Sequence, residues 1–241
     1  MVKTPSLVLA LETALGAPGI ALLRDAELVA QRTLPPDRPV SEELLPGIDA
    51  LLALCGSTLD AVEAFAVSIG PGSFTGIRVG VATVKGLAFG GARPVAPISS
   101  LAALACAAGT PGDSVAAIVD ARRDEVYAGV YELTQGEPLL KLADGLYTLA
   151  DLAARLPPSC VLAGDGASLY AEVWRAALGS GARILPEALA QPRAFQVGRL
   201  GYALLLAGGG IGAEALHPRY LRRAEAEARR TGERLDPARP L

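Results

Sequence analysis

Within residues 6–33, three strand-like runs follow one another with almost nothing between them, and this limits the fold more than any other feature of the chain. Residues 6–13, Ser-Leu-Val-Leu-Ala-Leu-Glu-Thr, form a continuous apolar stretch of the kind that fills a strand buried on both faces. Residues 20–23 follow across a link punctuated by Gly16, Pro18 and Gly19, and residues 27–33 follow across the turn Arg24-Asp25-Ala26. Parallel neighbours need a crossover of a dozen or more residues, so these three strands must pair antiparallel. Pro35, Pro36 and Pro39 then mark a loop.

Helices enter only after this meander. Residues 41–54 carry Leu44, Ile48, Leu51 and Cys55 at helical spacing, with Leu45 and Leu52 widening the stripe. Ser41 is placed to cap this helix, and Glu42 and Glu43 lie in its first turn, where the helix dipole favours anions. So broad an apolar face has room to touch a sheet on one side and another body on the other. Residues 64–69 read as a strand, and 74–90 as a helix with Ile77, Val81, Val84 and Ala88 in line. A short strand (95–98) and an apolar helix (101–108) complete a βββαβα half. The second half opens with strands at 114–120 and 125–131. It continues with a strand at 139–142, a helix at 148–156 capped by Thr148, a strand at 160–163 and helices at 168–178 and 194–206. The pattern predicts a mixed α/β protein of two similar halves. One subdomain covers 1–100 and is completed by helix 194–206, a second covers 101–193, and a charged tail runs over 219–241.

The most unusual stretch is Gly70-Pro71-Gly72-Ser73-Phe74-Thr75-Gly76-Ile77-Arg78-Val79-Gly80. Gly70 and Gly72 on either side of the φ-locked Pro71 allow a sharp turn from strand to helix, and Ser73 can cap that helix. Gly76 and Gly80, four apart, clear one helix face for close approach of another helix or strand. The N–H groups of Gly72, Ser73 and Phe74 stand at a positive helix end able to hold an anion. The segment lacks the Gly-Lys-Ser/Thr ending of a P-loop and the glycine spacing of a dinucleotide fingerprint.

Composition excludes more than it selects. A net charge of −3 does not suit a protein whose main task is to grip a phosphate backbone. Cys55, Cys106 and Cys160 are scattered and odd in number, as reduced thiols in a cytoplasmic protein would be. His217 is the one histidine, so a histidine metal cluster is ruled out and no metal site is expected. Glu12 breaks the N-terminal apolar run too early for a signal peptide, and no stretch reaches the length of a membrane helix. The tail carries Arg219, Arg222, Arg223, Arg229, Arg230, Arg234 and Arg239 against Glu225, Glu227, Glu233 and Asp236. That is a weak electrostatic footprint for RNA, interleaved with acids. Asp120, Arg122 and Glu125 are placed to form a structural ion pair at a hairpin mouth.

The 70–80 segment closely resembles the hallmark of the TsaB (YeaZ-like) family, which takes part in bacterial tRNA threonylcarbamoyladenosine biosynthesis. Leu9-Ala10-Leu11-Glu12-Thr13 is similar to the family's opening strand, with Glu12 in place of the usual aspartate. Ser41-Glu42-Glu43-Leu44-Leu45-Pro46 resembles the start of its first helix, with Val40 where a histidine is often found. Asp120-Ala121-Arg122-Arg123-Asp124-Glu125-Val126-Tyr127 and Pro218-Arg219-Tyr220-Leu221-Arg222 resemble two further family segments. The resemblance covers roughly residues 6–223.

It implies an actin-like (ribonuclease H-like) fold of two subdomains, the second reduced, and a non-catalytic role with no cofactor in this chain. Ser100 and Leu104 stand where the catalytic sister, TsaD, has its His-x-x-x-His metal motif. The implied task is to bind and support TsaD, with TsaE, while the adenosine beside the anticodon of tRNAs reading ANN codons is modified. ATP, metal and most of the tRNA contact would then belong to the partners. The implied docking surface is the pair of helices 41–54 and 74–90, with Leu44, Leu45, Ile48, Leu51, Leu52, Ile77, Val81 and Val84 as its residues. The same surface would pair two copies when the chain is alone. The rival reading is a stand-alone actin-fold ATPase or small-molecule kinase using Glu12, Thr13 and Asp120 as a nucleotide site.

Overall fold

The computed structural model describes residues 5–186 and 194–222. They fall into two compact units, the first of residues 5–103 and 194–218, the second of 104–186 and 219–222. The charged tail from Arg223 onward lies outside the described residues.

In the first unit β1 (Leu7–Glu12), β2 (Gly19–Arg24) and β3 (Glu27–Thr33) form the antiparallel meander that their short links require. Strands β4 (Ala64–Gly70) and β5 (Val95–Ser99) add parallel to β1, giving the order β3-β2-β1-β4-β5. Helix α1 (Val40–Leu54) makes the crossover to β4, α2 (Phe74–Phe89) the crossover to β5, and α3 (Ser100–Ala108) follows. All of β1 and β4 is buried, because the sheet is covered on both faces. Val8, Ala10, Ala21, Leu23, Ala64, Ala66 and Ala96 face α7 (Ala194–Leu206). That helix can lie so close because Gly198 rests against Leu23 and Ala10, and Gly201 against Ala66. Ile20 points the other way, where Gly47 of α1 packs on it.

The second unit repeats the plan. Strands β6 (Ser114–Asp120), β7 (Glu125–Glu132) and β8 (Leu139–Thr148) form an antiparallel meander, and β9 (Val161–Ala163) and β10 (Arg183–Ile184) run parallel to β6. The order β10-β9-β6-β7-β8 is that of the first sheet with each strand replaced by its counterpart. Helices α4 (Leu149–Ala153), α5 (Asp165–Leu169) and α6 (Ala171–Leu178) are short, and Trp174 is fully buried in the core they close. Two mixed sheets of the same strand order, each flanked by helices, thus make up the two halves expected from the sequence.

The differences from the sequence reading are local. Helix α1 begins one residue early, with Pro39 at its cap and no side-chain capping bond, so Ser41 caps nothing. Thr148 does cap α4, accepting from the Asp151 N–H, but the helix is only five residues long. The helix expected over 168–178 is two helices broken at Tyr170. Strand β10 escapes a periodicity argument because two residues carry no period. The chain also does not leave the fold at Arg219: Leu221 is buried, and Arg219 and Arg222 are bonded into the second unit.

Candidate functional site

Helix α2 is seated on the turn that follows β1. The strand β4 ends at Gly70-Pro71, and Gly72, at φ +151°, turns the chain into the helix. Ser73 caps it as expected, its hydroxyl accepting the Gly76 N–H at 3.2 Å. The Ser73 N–H donates to the Ala14 carbonyl at 2.8 Å, so this group of the expected anion cradle is already spent inside the chain. A Cβ at Gly72 would overlap the Ala14 oxygen, one at Gly76 the Thr13 carbonyl oxygen, and one at Gly80 the Thr13 hydroxyl. The glycine face is therefore filled by the chain's own Thr13–Ala14 backbone. The face admits the close approach expected of it, but the approaching segment is this turn of the same chain and not a helix or strand. Thr75 and Arg78 are exposed, and the Arg78 guanidinium lies 3.7 Å over the Phe74 ring.

Glu12 builds that turn. Its Oε1 accepts the N–H groups of Ala14 (2.6 Å) and Leu15 (3.0 Å) and the hydroxyl of Ser68 (3.0 Å). Its Oε2 is buried with no partner, and the residue is wholly inaccessible. Burial pushes the carboxyl up to about 7 against the opposing pull of its three donors. Thr13 is buried too, its hydroxyl against Gly80. A nucleotide site needs carboxylate and hydroxyl groups that face a ligand, and Glu12 and Thr13 both face the chain itself. They do not fit the group the rival reading assigns to them.

Asp120 lies in the second unit, at the end of β6. Its Oδ1 accepts the Arg122 N–H at 2.9 Å and the Tyr170 hydroxyl at 3.2 Å. Burial, with Asp120, Asp124 and Asp165 around it, raises the Tyr170 phenol. The hairpin tip holds three successive non-glycine residues in the left-handed region, Arg122 (φ 63°), Arg123 (φ 59°) and Asp124 (φ 57°). The expected ion pair at this hairpin forms with a different arginine: Arg222 donates to Glu125 and to the Ala121 carbonyl. A second anchor nearby in sequence is Arg219, which donates to Asp144 at 2.8 Å while the Tyr131 hydroxyl donates to the other carboxylate oxygen. Asp144 and Tyr131 carry no motif and were missed by sequence reasoning.

The residues nominated for docking divide sharply. Leu44, Ile48, Leu51 and Leu52 on α1 and Ile77, Val81 and Val84 on α2 are all buried by this chain alone, as part of its own core. Leu45 is the exception, 50% exposed. Leu54 at the end of α1 and Phe89 at the end of α2, which the core-facing spacing passes over, are 80% and 78% exposed. Ala50 and Ala53 on α1 and Ala82 and Gly86 on α2 are exposed as well. The two helices pack on each other, so the small and apolar solvent-facing residues belong to neighbouring helices. Ser100 and Leu104 are buried, and among the described residues no group of three or more His, Cys, Asp or Glu side chains could hold a metal ion. No described helix is long and apolar enough to cross a membrane.

Comparison with known proteins follows the same line. Residues 34–229 match the family model described as TsaD, tRNA N6-adenosine threonylcarbamoyltransferase. The tRNA threonylcarbamoyladenosine biosynthesis protein TsaB of Bacillus subtilis is 32% identical over 92% of this chain and 96% of its own length. TsaB of Haemophilus influenzae is 45% identical over 50% of this chain, a match that spans about half, 51%, of that protein. The solved structure of YeaZ from Pseudomonas aeruginosa superposes with a TM-score of 0.78 at 35% identity, covering 90% of this chain and all of that one.

Proposed function

Because the chain belongs to the TsaB (YeaZ-like) family of tRNA threonylcarbamoyladenosine biosynthesis proteins, we propose that it is the non-catalytic subunit that binds and supports the catalytic TsaD subunit. Together with TsaE, that assembly places threonylcarbamoyl on the adenosine beside the anticodon of tRNAs reading ANN codons. ATP, metal and the main tRNA contact are supplied by the partners.

The observation that carries this reading is the apolar outer face of α1 and α2. Leu45, Leu54 and Phe89 are large apolar side chains left to solvent on two packed helices, and Ala50, Ala53, Ala82 and Gly86 of the same helices are exposed as well. Small residues let a partner helix approach closely, and the large ones supply anchors whose burial contributes about 1.5–3 kcal/mol each. When the chain is alone, the same face pairs two copies about a two-fold axis. The inward orientation of Glu12 and Thr13 supports an accessory role over the kinase-like alternative.

The test is capture of TsaD from the same organism by the tagged chain. Leu45→Asp combined with Phe89→Asp should abolish capture, and self-association with it, while thermal melting stays within a few degrees of the parent. Full capture by the double variant would refute the docking face. Modified nucleoside measured in a strain depleted of the protein should fall in step with capture.

A further inference from the structure

We propose that the Glu12 carboxyl is a proton-dependent latch on the seat of α2: neutral, it holds the Thr13–Leu15 turn closed beneath the helix; ionised, it releases that turn towards water. The inference rests on the docking reading only in giving the latch a purpose, since α2 is one of the two helices proposed to meet the partner.

The geometry supplies the coupling. One oxygen of Glu12 gathers the Ala14 and Leu15 N–H groups and the Ser68 hydroxyl, and Ser68 in turn accepts the Thr13 N–H at 3.3 Å. The turn so formed presents the Ala14 carbonyl to the Ser73 N–H and lays the Thr13 carbonyl under Gly76. Carboxyl, turn and first turns of α2 are thus one hydrogen-bonded and close-packed unit. With a proton on Oε2, Oε1 remains a carbonyl acceptor for all three donors and no charge is buried. Without the proton, a carboxylate is sealed in the fold with one oxygen unpartnered, the costly arrangement for a buried ion. Opening the turn gives that oxygen water.

Among the described residues, nothing charged offsets this. The causes acting on the carboxyl are burial, the Leu15 and Ala14 N–H groups and the Ser68 hydroxyl, in that order. Arg24 on β2, Arg78 and Lys85 on α2 and Arg199 on α7, the charged groups of the elements packed around it, are not among them. Helix α3 carries no charged residue, and its Ser100 is buried. The titration near pH 7 therefore lies where modest acidification tightens the seat and a rise towards neutrality loosens it.

The sign follows from linkage. The closed turn holds its proton up to about pH 7, whereas the open turn releases it above the ordinary carboxyl value of 4.5. Between those limits opening releases one proton, so the opening constant rises by up to tenfold per pH unit and levels off above 7.

Amide hydrogen exchange on the isolated chain tests the latch directly. Corrected for intrinsic rates, opening at the Ala14, Leu15, Ser73 and Gly76 amides should increase roughly thirtyfold from pH 5 to pH 7. Amides of Ile118 and Ala128, in the second unit's core, should show no such slope. Glu12→Gln should flatten the response. A flat wild-type response, an equal slope in Glu12→Gln, or the same slope in both units would overturn the proposal. If Glu12→Gln does not fold, Ser68→Ala serves. It removes a donor that stabilises the charged form, so the Glu12 carboxyl midpoint read by ¹³C NMR should move up, and an unmoved midpoint also overturns the latch. The exchange experiment contains no partner, so its failure is separate from failure of the capture experiment, which concerns the docking face.

Discussion

Gly76 stands directly over the carbonyl of Thr13, so close that any side chain at position 76 would overlap the oxygen. At this point the first turn of α2 and the turn after β1 are packed backbone to backbone, and neither side has a flexible atom to move aside.

Gly76→Ala should therefore be destabilising by about 3 kcal/mol, the upper range for overpacking against a rigid neighbour. Gly86→Ala, in the same helix but with open space where its Cβ would go, should instead stabilise by about 0.5–1 kcal/mol through helix propensity. Urea unfolding of the two variants decides it, and a similar sign for both would show that the seat is not as tight as described.

Leu45 and Leu52 lie on one helix yet should respond oppositely to charge. Leu52→Asp puts a carboxylate in the core and should unfold the first unit or cost more than about 3 kcal/mol. Leu45→Asp should change stability by less than about 0.5 kcal/mol and show its effect only in partner capture. Circular dichroism melting, read before any binding experiment, separates the two.

Two ion pairs of the second unit offer a similar contrast. Arg219 and Asp144 are nearly sequestered, and Arg219→Ala takes the Arg219 cation away from a buried carboxylate, at a cost of about 3 kcal/mol. Lys141 and Glu132 are each about half exposed, and Lys141→Ala should cost no more than about 0.5 kcal/mol. Equal effects in denaturant titrations would remove the case for Arg219 as an anchor.

Burial also pushes the Cys160 thiol up to about 11. At pH 8 roughly one molecule in a thousand then carries the reactive thiolate, and the sulfur is in addition shielded by the core. Iodoacetamide at that pH should leave Cys160 unmodified in the folded chain and alkylate it once urea unfolds the second unit. Mass spectrometry of the peptide holding residue 160 reads the result.

Much of this molecule was legible in the chain because it is governed by near neighbours. The links between the first three strands dictated an antiparallel meander, the apolar run of β1 dictated burial on both faces, and Ser73 capped α2 as its position required. The family segments were legible for the same reason, being contiguous. The stripe on α1 was read correctly as apolar and was given a partner as well as a sheet; Leu44, Ile48, Leu51 and Leu52 are buried within this chain, and Leu45 is left half exposed. Periodicity reports that a face will be buried and is silent on what buries it.

By itself, then, the sequence determined the order and kind of most of the elements, though not β10 or the break at Tyr170, and the family they belong to. Only the tertiary structure decided how the special residues are used. It filled the glycine face with Thr13 and Ala14, turned Glu12 inward onto its own turn, gave Glu125 to Arg222, and left Leu54 and Phe89 in solvent. Each of these depends on which distant segment arrives opposite a residue. Burial and hydrogen-bond partnership are properties of that pairing, and no local pattern encodes them.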